Sequence, residues 1–249
     1  MSALYDRIGK TYAATRAPDP RWQRAITRAL GDAAHMLNVG AGSGSYEPQD
    51  RAVTALDASM TMLRQRAPGT APAVCADAAH LPFADASFDA VLAVFTVHHW
   101  TDRRAGLDEC RRVARERIVI VTAKRFGDEQ PFWLVDNYFP AIAEFERRHM
   151  HRLDELVDDL GGADVRTLMV PADCRDGFMG AFWSRPEAYL DPVVRAGISR
   201  FNQIDERAID AGVERLQSDL ASGEWDRRYG TARGETELDL GYRLLIASP

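Results

Sequence analysis

Along the chain, short runs of apolar residues alternate with segments in which apolar residues recur every three to four positions. His35–Gly40 (HMLNVG), Ala52–Asp57 (AVTALD), Ala73–Asp77 (AVCAD), Phe88–Phe95 (FDAVLAVF) and Arg117–Thr122 (RIVIVT) read as five strands. Their apolar residues are consecutive rather than alternating, which predicts a parallel sheet covered on both faces. Between the fourth and fifth runs, residues 102–115 place Leu107, Cys110 and Ala114 on one helical face, with arginine and glutamate on the other. Ahead of the first strand, Asp19 can cap a helix that opens on Pro20. Trp22, Ala25, Ile26, Ala29 and Leu30 then follow the roughly 3.6-residue period, and Gly31 supplies a stop. The βαβα order predicts a doubly wound α/β sheet over residues 35–122.

The pattern changes beyond residue 124. Residues 130–147 predict an aromatic-rich helical insertion, and residues 149–160 a charged amphipathic helix ending at Gly161-Gly162. Ala163–Pro171 (ADVRTLMVP) reads as a sixth strand, residues 174–230 as mostly helix, and Leu240–Ser248 (LGYRLLIAS) as a seventh strand, antiparallel to the rest. The chain thus divides into an N-terminal helical segment (1–34) and a core (35–171) with an insertion at 125–148. A second helical insertion (172–237) and the final strand (238–249) follow. No internal repeat interrupts this order.

The 249 residues are 46% hydrophobic and 27% charged, enough apolar material for a sizeable core and too much for wholesale disorder. Thirty-one basic against 37 acidic side chains give a net charge of −6, which provides no electrostatic pull toward nucleic acid or an anionic membrane. A macromolecular substrate is therefore not expected. Cys75, Cys110 and Cys174 are far apart, so neither a disulfide framework nor a zinc site is expected. The start, MSALYDRIGK, lacks a signal-peptide apolar region, and no run of about 18 apolar residues is present. A cytoplasmic location is the expectation.

Candidate chemistry begins where the first strand runs into Val39-Gly40-Ala41-Gly42-Ser43-Gly44. Glycines there permit positive φ and close approach of a ligand to the backbone. In an open α/β sheet this loop is where a nucleotide-like ligand sits, although a tight strand-to-helix turn would use the same residues. The second strand ends in Asp57, thirteen residues after Gly44. A carboxylate at that strand end can accept from two ribose hydroxyls. Asp77, ending the third strand, repeats the placement one strand further out, where it could meet an adenine amino group.

With these motifs in order, GAGSG, LDASMTM, CADAAHLPFADASFDAV and VFTVHHW, the chain resembles the class I S-adenosylmethionine-dependent methyltransferases over about residues 5–123. The small-molecule branch that includes quinone C-methyltransferases is the most similar. The resemblance implies a Rossmann-like, seven-stranded, mostly parallel sheet with S-adenosylmethionine as cofactor, and a small-molecule acceptor for a chain that is a monomer or homodimer. It implies that Gly40, Ala41, Gly42 and Gly44 cradle the methionyl part, that Asp57 binds the ribose, that Met62 packs on the adenine, and that Ala58 is also among the cofactor-binding residues. Asp77, Ala78, Phe95, Thr96 and Val97 complete the pocket. On the N-terminal segment, which carries Tyr5, Tyr12 and Arg16, it implies that Tyr12 shields the sulfonium and Arg16 pairs with the cofactor carboxylate. Asn38 stands where the family usually has Asp, and the stretch from Gly44 to Asp57 is short, so the helix after the glycine loop must be short or irregular. An NAD-dependent oxidoreductase is the runner-up, but its G-x-G-x-x-G register would need a glycine at Ser45. A non-catalytic protein of the same fold is a third reading.

Methyl transfer needs alignment of the acceptor, exclusion of water and, for a protonated acceptor, a base. His98 and His99 follow the fourth strand, and alternation along a strand allows one of them at most to face the acceptor. The insertions carry Trp133, Phe182 and Trp183, which could form an apolar cap over a small apolar or aromatic acceptor, with Asp176 and Arg185 orienting its polar group.

Overall fold

The computed structural model describes residues 17–249, so Tyr5, Tyr12 and Arg16 lie outside the described residues. Helix α1 (Pro20–Ala29) begins where expected: the Asp19 carboxylate accepts from the Arg21 amide at 2.9 Å, and Trp22, Ile26 and Ala29 are buried. Strands β1 (His35–Val39), β2 (Ala52–Asp57), β3 (Ala73–Cys75), β4 (Phe88–Val94) and β5 (Ala114–Ala123) follow. A single-turn helix α2 (Met60–Leu63) lies between β2 and β3, and α3 (Arg103–Val113) between β4 and β5. Helices α4 (Trp133–Asn137), α5 (Pro140–His149) and α6 (Leu153–Asp159) lead to β6 (Asp164–Thr167) and β7 (Val170–Pro171). The large insertion carries α7 (Pro192–Gly197), α8 (Glu206–Ser222) and α9 (Glu224–Tyr229), before β8 (Glu237–Leu238) and β9 (Tyr242–Ala247).

Seven strands form one sheet in the order β3-β2-β1-β4-β5-β9-β6, with β9 antiparallel to both neighbours and the others parallel. This is the expected doubly wound sheet with its last strand reversed. The consecutive apolar runs are explained by two cores. Met36, Ala90, Leu92, Val119, Val121 and Leu244 face α1 and the insertions. Leu37, Val91, Ala93, Ile118, Ile120 and Leu245 face Leu107, Cys110 and Val113 of α3 and Leu156 and Leu160 near α6.

Three elements differ from expectation. The helix over 130–147 is broken at Pro140, which lacks the amide needed to continue the ladder and restricts Phe139 before it. The sixth strand splits: β6 stays on the sheet edge with all four residues exposed, while β7 departs to pair with β8 in a separate two-stranded ribbon at the root of the insertion. Charged Asp164 and Arg166 suit an open edge, whereas Val170 is fully buried. Finally, residues 40–51 form turns and bends with no helix, so the shortened stretch has lost that helix altogether.

Candidate active site

The carboxyl ends of β1, β2 and β4 frame a cleft of about 980 Å³. Of the expected cofactor residues, Gly40, Ala41, Gly42, Asp57, Ala58, Met62, Asp77, Ala78, Phe95 and Thr96 line it. Gly44 and Val97 do not. Gly44 turns the chain beneath the loop, beside the Arg66 and Glu47 side chains, and Val97 is buried in the core on the α3 side of the sheet. The loop is held by Gly40 and Ala41 amides donating to the Leu56 carbonyl at 2.8 and 2.9 Å. Gly40 has φ +70, and a Cβ there would lie 1.9 Å from Thr96 Oγ1, so the loop and the end of β4 touch through a position only glycine can occupy.

Asp57 accepts from the Gly42 amide (2.8 Å) and the Ser59 amide (2.8 Å), one on each carboxylate oxygen. Burial raises its pKa above the ordinary value, against the lowering effect of those amides and of Arg66. An ionised carboxylate can accept two bonds per oxygen, so each oxygen has capacity for a hydroxyl. Asp77 is exposed at the outer end and holds the Ala79 amide at 2.8 Å. Asn38, 1% exposed, donates Nδ2 to Glu47 Oε1 at 2.9 Å. Glu47 is itself clamped by both terminal nitrogens of Arg66, at 2.9 and 2.7 Å. Because Glu47 can only accept, the Asn38 amide is oriented, and its buried Oδ1 faces no partner among the described residues. Strand β3 stops at Cys75, two residues short of the expected Asp77; even so, Asp57, Asp77 and an orphaned amide oxygen in one cleft fit a ligand that carries vicinal hydroxyls, an aromatic amine and a cationic amino group.

Phe95 and His99 also line a second cavity, of about 600 Å³, walled by Phe178, Tyr242, Met179, Arg200 and His98. Phe95 adopts φ +52, a conformation costly for a bulky residue and found preferentially at functional sites. The expectation that only one histidine could face this side is corrected. Strand β4 stops at Val94, and Val97–His99 is a turn of 3-10 helix, so strand alternation does not apply and both rings line the cavity with centroids 3.9 Å apart. Burial, then His99 and Arg200, hold His98 well below its usual pKa. Burial and then Arg200 push His99 down to about 3. Both rings are therefore neutral at pH 7, and each is a weaker base than a free histidine.

This neutrality has a measurable sign. Below the ordinary histidine value of 6.5 the unfolded chain takes up protons that the folded chain refuses. The contribution is complete above that value and is lost as pH falls toward about 3, at up to about 1.4 kcal/mol per pH unit for each ring. His99→Gln should flatten the dependence of urea midpoint on pH between roughly 6.5 and 5. An unchanged slope would show that His99 is not held neutral.

The expected acceptor residues of the insertions are placed elsewhere, and this reading is corrected. Trp183 is fully buried and donates Nε1 to the Val170 carbonyl at 3.0 Å. Trp133 donates to the Trp183 carbonyl at 3.0 Å and packs edge-on to Trp225 and Tyr189. Phe182 lies edge-on to Tyr189, beneath the Arg185 guanidinium, which donates to the Cys174 and Ala181 carbonyls. Asp176 accepts from the Tyr46 hydroxyl at 2.8 Å. None of these five lines either cavity, because an insertion of this size needs a core of its own and its largest aromatics supply it. Trp183→Ala should cost about 3–5 kcal/mol of stability in chemical denaturation while S-adenosylhomocysteine affinity persists in the folded fraction. Unchanged stability with altered acceptor preference would restore the earlier reading.

Sequence reasoning missed the charged pair at the second cavity, Arg200 with Glu146, and the role of Tyr242. One signal was available. Ile142, Ala143 and Glu146 share the buried face of α5, and a carboxylate on an apolar helical face requires a buried partner.

A family model described as a methyltransferase domain matches residues 37–121. Demethylmenaquinone methyltransferase of Corynebacterium urealyticum is 33% identical over 126 residues, covering 46% of this chain and 55% of the relative. That of Clavibacter sepedonicus is 37% identical over 138 residues, covering 48% and 56%. The chain thus spans little more than half the length of these curated relatives. A solved structure of a putative methyltransferase from an antibiotic biosynthesis pathway of Anabaena variabilis is 32% identical, with a TM-score of 0.86, and the match covers 94% of this chain and 99% of that one. Haemonchus contortus phosphoethanolamine N-methyltransferase 2, solved with S-adenosyl-L-methionine, shares the fold at 14% identity and a TM-score of 0.59, covering 100% of this chain and 60% of its own. With similarity running end to end through the Anabaena protein, and with the glycine loop, Asp57 and Asp77 lining one cleft, the chain belongs to the class I S-adenosylmethionine-dependent methyltransferases.

Proposed function

We propose that this protein transfers a methyl group from S-adenosylmethionine to a small apolar or aromatic acceptor. The observation that carries this reading is the adjacency of the two cavities: the cleft framed by Gly40, Asp57 and Asp77 meets an apolar chamber across Phe95 and His99. The cofactor brings an electrophilic methyl on a positively charged sulfur. Gly40, Ala41 and Gly42 let its methionyl part approach the backbone, Asp57 receives the ribose hydroxyls, Asp77 the adenine amine, and Met62 the adenine face. Asn38 Oδ1 accepts from the amino group in place of the acid usual in the family.

On the acceptor side, Phe95, Phe178 and Tyr242 exclude water, and the insertion over residues 172–237 closes the chamber through Phe178, Met179 and Arg200. Residues 35–171 and 238–249 act as the cofactor-binding core. His99, neutral and shared by both cavities, can take a proton from an acceptor or orient it by hydrogen bonding. The name of the curated relatives, demethylmenaquinone methyltransferase, supports a quinone- or quinol-type ring as one acceptor class. A cytoplasmic setting is part of this proposal, and the free thiols of Cys75, Cys110 and Cys174 suit a reducing compartment.

The reading is tested by calorimetry with S-adenosylhomocysteine and NAD, followed by mass spectrometry of quinols and hydroxylated aromatics incubated with protein and S-adenosylmethionine. Tight S-adenosylhomocysteine binding and a methylated product are expected. Binding of NAD alone would refute the cofactor assignment, and cofactor binding without turnover on any acceptor would favour a non-catalytic role.

A further inference from the structure

The second cavity contains a cation that its surroundings only partly satisfy. Arg200 is carried on the turn that follows α7, and its side chain is 9% exposed. Its Nε donates to Glu146 Oε1 at 2.8 Å, and Glu146 Oε2 is taken by the Phe126 amide at 2.7 Å. Nη2 meets the Met150 thioether sulfur at 2.9 Å, a weak acceptor. A guanidinium has five N–H donors, and among the described residues the Arg200 side chain donates no other hydrogen bond, its remaining contact being the Phe145 ring with the guanidinium carbon 5.8 Å from the centroid. Arg200 thus lines the chamber with its charge balanced by Glu146 and with N–H donors left over for a ligand. The positive field reaches across that chamber, since Arg200 is among the causes that depress both histidines.

A planar guanidinium in the wall of a largely apolar pocket is suited to forked recognition of an oxyanion. The walls around it, Phe95, Phe178 and Tyr242, suit a flat ring. Glu146 keeps the pair neutral overall and fixes the guanidinium by its Nε edge, which directs the remaining N–H groups away from the carboxylate.

We propose that Arg200 is a specificity-determining residue which selects an acceptor carrying an oxyanion, a ring carboxylate or an ionised phenol, and holds that oxygen beside His98 and His99. This rests on the methyltransferase reading and names its substrate class. An acceptor that arrives ionised needs no strong protein base, in keeping with two histidines kept neutral.

The test uses protein saturated with S-adenosylhomocysteine, titrated calorimetrically with two matched pairs: naphthalene carboxylate against its carboxamide, and dinitronaphtholate against its methyl ether. The first pair reads a carboxylate and the second an ionised phenol. The expected result is a preference of about tenfold or more for the anion in at least one pair. Arg200→Met combined with Glu146→Gln, which leaves no lone buried charge, should erase the preference without weakening S-adenosylhomocysteine binding. Arg200→Lys should retain part of it. Equal affinity within both pairs, failure of both anions to bind, or a preference that survives the double substitution overturns the proposal. Loss of S-adenosylhomocysteine binding by the unaltered protein would instead overturn the methyltransferase reading.

Discussion

Replacing Asp57 with alanine should weaken S-adenosylmethionine binding by about 10²–10⁴-fold while leaving a folded protein. Two hydroxyls bonded to one carboxylate are each worth about 1.5–3 kcal/mol, and together they give that range. The same carboxylate holds the Gly42 and Ser59 amides, so part of the loss comes from a loosened glycine loop. Asp57→Asn, which keeps one oxygen, should fall between the two. Burial also raises the Asp57 pKa, and the bound form needs the ionised acid. Affinity should therefore fall on acidification at a pH above the ordinary carboxylate midpoint, and that step should vanish in Asp57→Asn. Wild-type affinity in folded Asp57→Ala, measured by calorimetry, would remove the cofactor assignment.

Gly40→Ala should be at least as damaging, and to the fold as well as to binding. A left-handed conformation costs a non-glycine residue roughly 1–2 kcal/mol. The added carbon would also lie 1.9 Å from Thr96 Oγ1 and 2.5 Å from Thr96 Cβ, so β1 and β4 would have to separate at the mouth of the cleft. A total above about 3 kcal/mol is expected, with cofactor affinity lowered by about a hundredfold or more through the displaced loop. Adding Thr96→Gly, which removes the colliding side chain, should recover most of the stability and leave the left-handed strain. A Gly40→Ala protein with unchanged Tm and affinity would show that the loop approaches Thr96 less closely than described.

The contrast between cofactor and acceptor sides follows from how each is built. Gly40 follows β1, Asp57 ends β2 and Asp77 lies two residues beyond β3, and the order of strands in a doubly wound sheet brings such ends together. Local sequence order thus carries their proximity. The acceptor chamber is assembled from the turn after β4, β5, α5, the insertion and β9, and no short motif relates Phe95 to Arg200 or Tyr242. Trp133 and Trp183 were plausible cap residues because large aromatics enclose ligands as readily as they fill cores, and periodicity does not separate the two uses. The histidine pair was misread for a smaller reason: one residue in the left-handed region, Phe95, ends the strand before alternation reaches them.

Hydrophobic runs, caps and glycines were enough to specify the sheet, its two buried faces, the α1 boundary and the position of the nucleotide cleft, because each rests on contacts between near neighbours or on the regular crossover of strand and helix. The split of the sixth strand at β7, the loss of the helix after Gly44, the Glu47–Arg66 clamp under Asn38 and the Arg200–Glu146 pair were settled only in three dimensions. Each depends on which distant surface a buried charge or an unpaired backbone group meets. That choice is made by packing across the whole chain, since a charge removed from water must find its partner wherever the fold has placed one.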